Sequence, residues 1–145
     1  MDALDLLKQD HAKVKELFED IEDAGDMSGQ KVIFEQIKNE LETHSHIEET
    51  VFYPAMEKYQ ELKEMVREAL EEHQGVKTLL SEMENLSDEE EFEAQLEELK
   101  DNVEHHAQEE EEGKMFPKVR DLVSANELEK LGVQLETAKG SRKAS

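Results

Sequence analysis

The sequence contains no cysteine, which excludes disulfide bonds, thiolate catalysis and iron–sulfur clusters. A chain without cysteine also suits a reducing cytosol. No apolar stretch approaches the length needed to span a membrane. The acidic N-terminus, Met1 to Asp5, lacks the basic flank and apolar run of a signal peptide. From these absences we expect a soluble protein of the cytoplasm.

Positive charge is also scarce. Lysine and arginine total 17 residues against 39 aspartates and glutamates, giving a formal net charge of −22. Such an excess of negative charge opposes binding to nucleic acid or to an anionic membrane surface. The charge instead predicts a well-solvated exterior and favours a monomer.

Only two prolines and six glycines interrupt the chain, and its apolar residues recur every three or four positions. This spacing is typical of helices that bury one face. Four such stripes run from Leu4 to Ile21, from Phe34 to Ala55, from Leu62 to Met83 and from Phe92 to Glu110. Four helices with short connections predict an all-α, antiparallel, up-down-up-down four-helix bundle.

The domain boundaries follow from the same pattern. Residues 26–29 form a predicted loop after the first helix, and Ser87 to Glu90 has the spacing of a capping box that starts the fourth. We expect the bundle to occupy residues 1–122. Residues 123–138 would form a short extra C-terminal helix, and residues 139–145 a disordered tail.

One motif occurs twice. His44 and Glu48 are spaced His-x-x-x-Glu, as are His106 and Glu110, and this spacing puts both side chains on one face of a helix. Each motif precedes a proline, Pro54 or Pro117, that should kink or end its helix. His11 to His73 and His44 to His106 are each 62 residues apart. A metal site built from a duplicated helix pair would leave this trace.

Four of the six histidines lie within the buried stripes, while His46 and His105 fall outside them. The buried set is His11, His44, His73 and His106. Glu48 and Glu110 share those stripes, where an unpaired carboxylate would be costly. Lys77 is the one cation next to them. Metal ions would compensate these charges, and imidazole with carboxylate suits iron, manganese or zinc. Six ligands are too many for one ion with an open position, which favours a di-iron centre.

The sequence resembles the hemerythrin-like, HHE cation-binding family from His11 to about Pro117. The resemblance depends on the isolated His11, on His44-x-x-x-Glu48-Glu49 before Phe52-Tyr53-Pro54, on His73 within Glu72 to Val76, and on His105-His106 before Met115-Phe116-Pro117. It implies a four-helix bundle with two iron ions, bridged by oxo or hydroxo, that react with dioxygen, peroxide or nitric oxide. The implied ligands are His11, His44, Glu48, His73, His106 and a glutamate of the last motif.

Three positions are left open. The last glutamate is Glu110 by the His-x-x-x-Glu spacing, which we favour, or Glu111 by its distance from Pro117 and from His106. Lys77 stands where oxygen-carrying hemerythrins present a further histidine, which disfavours reversible oxygen carriage. Tyr53 is either an additional phenolate ligand or an aromatic residue packed beside Pro54.

The favoured function is therefore a non-haem di-iron protein that binds or reacts with dioxygen, peroxide or nitric oxide, as a carrier, a sensor or a peroxide-decomposing enzyme. A ferritin-like protein that oxidises or stores iron is a second hypothesis, although that class uses Glu-x-x-His and more carboxylates. The third hypothesis is a metal-free helical interaction module.

Overall fold

A computed structural model describes residues 1–144, and Ser145 lies outside the described part. Seven α-helices follow one another: α1 (Ala3–Asp23), α2 (Met27–Ile47), α3 (Tyr53–Met56), α4 (Lys63–Glu84), α5 (Glu89–Glu104), α6 (Phe116–Leu122) and α7 (Ala125–Ala144). A π-helical segment, Glu48–Phe52, joins α2 to α3, and a second one, His105–Met115, joins α5 to α6. A short 3-10 turn, Gln60–Leu62, precedes α4. The predicted all-α bundle with an extra C-terminal helix is confirmed.

Aspartate side chains begin three of the long helices. Asp2, Asp26 and Asp88 each accept a hydrogen bond from the backbone N–H three residues later, at 2.9, 2.8 and 3.0 Å. Such caps satisfy N–H groups that the first helical turn leaves without partners. The cap of α5 is therefore Asp88, one residue later than the Ser87 of the expected capping box.

The two π-helical segments differ in length. The first spans five residues and the second eleven. Pro54 and Pro117 each occupy the second position of the short helix that follows. Because proline has no N–H to donate, it interrupts the helical hydrogen-bond series there. The prolines thus mark the change from π-helix back to α-helix, and the chain continues past them.

Two apolar clusters fill the bundle. One contains Leu4, Phe52, Met56, Leu62, Phe116 and Leu131, and the other contains Phe18, Ile37, Leu80, Phe92 and Leu99. Along α1, α2 and α4, and from α5 into the second π-helical segment, most of the buried polar residues separate residues of one cluster from residues of the other. Within residues 1–144, no helix is long and apolar enough to span a membrane.

The last helix is longer than expected. It runs to Ala144, so residues 139–144, which we expected to be a disordered tail, continue α7. Leu128, Leu131 and Leu135 of α7 are buried in the first apolar cluster. Gly132 packs directly on the start of α1, since a Cβ atom built there would lie 2.2 Å from the Met1 carbonyl oxygen.

We therefore expect Gly132→Ala to destabilise the protein by about 1–3 kcal/mol, the usual cost of overpacking. Gly140→Ala is the matched control in the same helix, because nothing lies within 4 Å of its Cβ position. Alanine at that position should be neutral or add up to about 1 kcal/mol through helix propensity. Urea unfolding of both variants measures the difference. Equal free energies of unfolding would contradict the close packing of α7 on α1.

Candidate metal centre

Six side chains, two carboxylates and four imidazoles, meet inside the bundle. They are His11 of α1, His44 of α2, Glu48 and Glu111 of the two π-helical segments, His73 of α4, and His106 of the second π-helical segment. Both carboxylates are 0% exposed and the four imidazoles at most 9%. Groups of this kind are seldom buried unless they are paired or bind metal.

The Nε2 atoms of the imidazoles face the two carboxylates. Glu48 Oε1 lies 3.1 Å from His44 Nε2 and 3.0 Å from His73 Nε2. Glu111 Oε1 lies 3.0 Å from His11 Nε2, and Glu111 Oε2 lies 3.5 Å from His106 Nε2. Glu48 and Glu111 therefore each approach histidines of two different helices.

The potential ligand atoms form two groups that share Glu48. His11, His44, Glu48 and Glu111 form the first group, and Glu48, His73 and His106 form the second, with the atoms of each group within 4.8 Å of one another. We call these groups metal position A and metal position B. A carboxylate common to two groups is suited to bridging two ions.

The donor set fits metal ions better than it fits a hydrogen-bonded core. His44 Nε2 and Glu48 Oε2 are buried and make no hydrogen bond, although His44 Nε2 is close to Glu48 Oε1. His73 Nε2 and His106 Nε2 also face each other at 3.1 Å. Two imidazole nitrogens that point at each other can share one proton at most. These atoms have lone pairs suited to a cation, and imidazole with carboxylate suits first-row transition metals.

The structure corrects our choice of the last glutamate. Glu111 lies in the buried group, whereas Glu110 is part of a half-exposed cluster with Glu72 and His105 and pairs with Lys114. The reason is the second π-helical segment, in which hydrogen bonds span five residues and positions five apart share a face. In the first motif, His44 precedes the π-helical segment, so the α-helical spacing of four to Glu48 is kept.

A further carboxylate stands behind each of the four imidazoles. Nδ1 of His11 lies 2.6 Å from Glu112, Nδ1 of His44 3.0 Å from Asp10, Nδ1 of His73 2.8 Å from Glu49, and Nδ1 of His106 2.7 Å from Glu72. An acceptor at Nδ1 keeps the proton there and leaves the Nε2 lone pair for metal. We call these four acids the outer carboxylates.

Our sequence reasoning missed the outer carboxylates, although a signal was present. Asp10 and Glu72 each come directly before a histidine of the site, while Glu49 and Glu112 each follow one of its glutamates. Each contacts an imidazole of another helix rather than its own neighbour. The signal was a pair of adjacent residues that can both bind metal. Acidic residues are so frequent in this chain that such pairs did not stand out.

The charges of the cluster act strongly on one another. Burial alone would lower the pKa of His44, but the charge of Glu48 and the hydrogen bond to Asp10 outweigh it and raise the pKa to about 10. Burial likewise opposes a charge on His106 and on His11, yet the neighbouring glutamates raise both pKa values. Burial would raise the pKa of Glu48, but the positive charge of His44 holds it well below its usual range. Glu48 therefore remains ionised at neutral pH.

Tyr53 and Lys77 take different places around this cluster. Tyr53 is buried, with its hydroxyl 3.3 Å from His73 Nε2 and 3.4 Å from His106 Nε2, and it donates a hydrogen bond to Glu111. Burial and the charges of Glu111 and Glu48 raise the pKa of this phenol well above its ordinary value. Lys77 instead turns outward and pairs with Glu49 at 3.0 Å.

The family model described as the hemerythrin HHE cation binding domain matches residues 2–119. A crystal structure of a hemerythrin HHE cation binding domain-containing protein from Mycobacterium kansasii has a similar fold, with a TM-score of 0.80 and 28% sequence identity. That similarity covers 97% of this chain and 89% of the other.

Two curated proteins are also similar. An uncharacterized hemerythrin-like protein of Schizosaccharomyces pombe is 34% identical over 111 residues, which are 74% of this chain and 55% of that protein. A protein of Nostoc sp. named DNA nickase is 28% identical over 140 residues, which are 96% of this chain and 39% of that protein. The chain thus spans about half the length of the curated relatives or less.

Proposed function

The chain belongs to the hemerythrin HHE cation-binding domain family, and from this premise we propose that it holds two iron ions and uses them to bind or react with dioxygen, peroxide or nitric oxide. The observation that carries the proposal is the buried cluster of four Nε2 atoms around Glu48 and Glu111. His11, His44, Glu48 and Glu111 would hold one ion, and His73, His106 and Glu48 the other. When bound, iron would supply a redox centre and a Lewis acid.

An apolar cavity beside the imidazoles supports a small ligand. It measures about 40 Å³ and is lined by all four histidines together with Val14, Phe18, Leu41, Val76 and Val103. On this measure a cavity needs about 10–15 Å³ for one water molecule, so a molecule of two to four atoms fits. Most of its lining atoms are apolar, which suits a molecule with little or no charge.

Tyr53 would provide a hydrogen-bond donor next to two of the same imidazoles. Because its phenol stays protonated beside Glu111, its hydroxyl is a hydrogen-bond donor that faces His73 and His106. A reduced oxygen species gains negative charge, and a buried donor stabilises such charge. We infer that Tyr53 serves as this donor, in preference to the phenolate ligand that the sequence left open.

The other hypotheses gain less support. A ferritin-like site would be richer in carboxylates, whereas this cluster has four imidazoles and two buried glutamates. A metal-free interaction module would leave His44 Nε2 and Glu48 Oε2 buried without partners. The activity in the name of the Nostoc relative is not proposed for this chain, because a net charge of −22 opposes approach to DNA.

The first test is elemental analysis of the purified protein with a visible spectrum of the same sample. We expect about two irons per chain and near-ultraviolet bands that change on adding azide or peroxide. The double variant His44→Ala, Glu48→Ala should load no iron, whereas His46→Ala, which removes an exposed histidine, should load normally. Full loading of the double variant, or zinc after anaerobic ferrous reconstitution, would refute the di-iron proposal.

A further inference from the structure

The outer carboxylates differ in what lies behind them. Glu49 pairs with the exposed Lys77, and Glu72 with the exposed His105. Asp10, which is 6% exposed and far less accessible than those two, accepts a hydrogen bond from Lys139 of α7. Asp10 and Glu72 occupy equivalent places, 62 residues apart, each behind the histidine of the next helix. Among the described residues, a part-buried lysine contact therefore lies behind His44, and none lies behind His106.

Lys139 comes from a part of the chain that the family model does not match. The match ends at residue 119, while α7 begins at Ala125 and packs on α1, α2 and the first π-helical segment. The lysine side chain is 23% exposed, so most of it lies in that interface. A chain of contacts thus runs from the last helix through Asp10 to the Nδ1 atom of His44.

We infer that Lys139 is a positioning residue for metal position A and adds to the difference between the two metal positions, which already have different ligands. The inference rests on the proposed metal centre. Asp10 lies against Nδ1 of His44, and Lys139 holds Asp10 in that place. A fixed carboxylate at Nδ1 keeps the imidazole oriented with Nε2 turned inward. By this argument, α7 contributes to the metal centre by holding one of its ligands in position.

The test is a titration of the apo form of the 145-residue chain with Co²⁺, followed by its visible absorption, which resolves stepwise binding. Removal of a partner behind a metal-binding histidine weakens affinity by about 10–100-fold, and Lys139 is one contact further out. We therefore expect Lys139→Met to weaken one of the two steps about tenfold and to leave the other unchanged. Lys139→Arg keeps the charge and should restore the affinity.

An effect of Lys139 on folding must be distinguished from an effect on the position of His44. Lys130→Met removes an exposed lysine of the same helix and is the matched control. The inference predicts that the thermal midpoints of the apo forms of Lys139→Met and Lys130→Met agree while their Co²⁺ affinities differ. If Lys139→Met does not fold, the same titration of Lys139→Gln decides.

The possible outcomes distinguish the two proposals. Wild-type protein that binds two Co²⁺ ions, with unchanged steps in Lys139→Met, overturns the role of Lys139 and leaves the metal centre intact. Equal weakening of both steps, or weakening that merely follows a lower thermal midpoint, also overturns it. Wild-type protein that binds no Co²⁺ refutes the metal centre and this inference with it.

Discussion

Glu111→Gln is expected to remove at least one of the two metal ions, whereas Glu110→Gln is expected to leave metal content unchanged. Glu111 faces His11 and His106 from the interior, while Glu110 is 21% exposed and pairs with Lys114. Loss of an outer partner costs about 10–100-fold in metal affinity, so loss of a ligand should cost more than about 100-fold. The two variants differ by one sequence position and remove the same charge.

Elemental analysis after anaerobic ferrous reconstitution and desalting measures this effect. We expect Glu111→Gln to retain at most one iron per chain and Glu110→Gln to retain about two. Far-ultraviolet circular dichroism checks that both variants keep their helical content. The reverse result would mean that the second motif uses the α-helical spacing of four, and that the π-helical register is not the one that binds metal.

Metal affinity is expected to rise steeply with pH. The neighbouring carboxylates raise the pKa values of His11 and His106, and they raise that of His44 to about 10, so His44 is protonated at pH 7 before metal binds. A metal ligand must be neutral imidazole, so binding releases up to three protons from these groups. Where all three are protonated, affinity should increase by up to about 10³ per pH unit.

Isothermal titration calorimetry of Zn²⁺ binding at pH 7, in buffers of different ionisation enthalpy, counts these protons. We expect at least one per chain, from His44, above the number released by water bound to the ion. A titration that releases none would show that the cluster is already neutral. In Asp10→Asn, His44 loses one of the interactions that raise its pKa, so the count should fall.

The metal-depleted protein should have the opposite pH dependence. For His44, the folded pKa lies above the unfolded value of 6.5, so its contribution to stability is full below pH 6.5 and is lost as pH rises through about 10. For Glu48, the folded pKa lies below 4.5, so its contribution is present above that pH and is lost on acidification. Apo-protein stability should therefore be highest between about pH 4.5 and 6.5.

The helices of this protein were predictable because their apolar residues repeat with one period over long segments. Four imidazoles in those stripes and Glu48 were also accessible, since α-helical spacing holds from His44 to Glu48. Glu111 was not resolved, because nothing in the run of four glutamates reveals where an α-helix widens into a π-helix. Sequence periodicity identifies the residues that share one face of a regular α-helix. A change from α-helix to π-helix shifts the residue on that face by one position.

The contacts of the last helix were beyond sequence reasoning for a different reason. The segment from 139 onward is rich in lysine, glycine and serine, which is typical of disorder. Leucines earlier in α7 pack into the first apolar cluster and extend the helix to Ala144. Lys139 then meets Asp10, a partner 129 residues away. Tertiary packing overrides composition in this segment.

Carboxylates of the α1–α2 pair contact a histidine of the α4–α5 pair, and the reverse also holds. This exchange bears on how such a centre could have arisen. Glu48 and Glu49 of the first pair reach His73 of the second, and Glu111 and Glu112 of the second pair reach His11 of the first. Each helix pair therefore supplies carboxylates to a histidine of the other pair, and neither pair forms its half of the site alone. Two copies of one ancestral hairpin, related by a two-fold axis, would assemble the same set of contacts. Gene fusion would then have preserved a dimer interface as the interior of a single chain, leaving each half free to diverge.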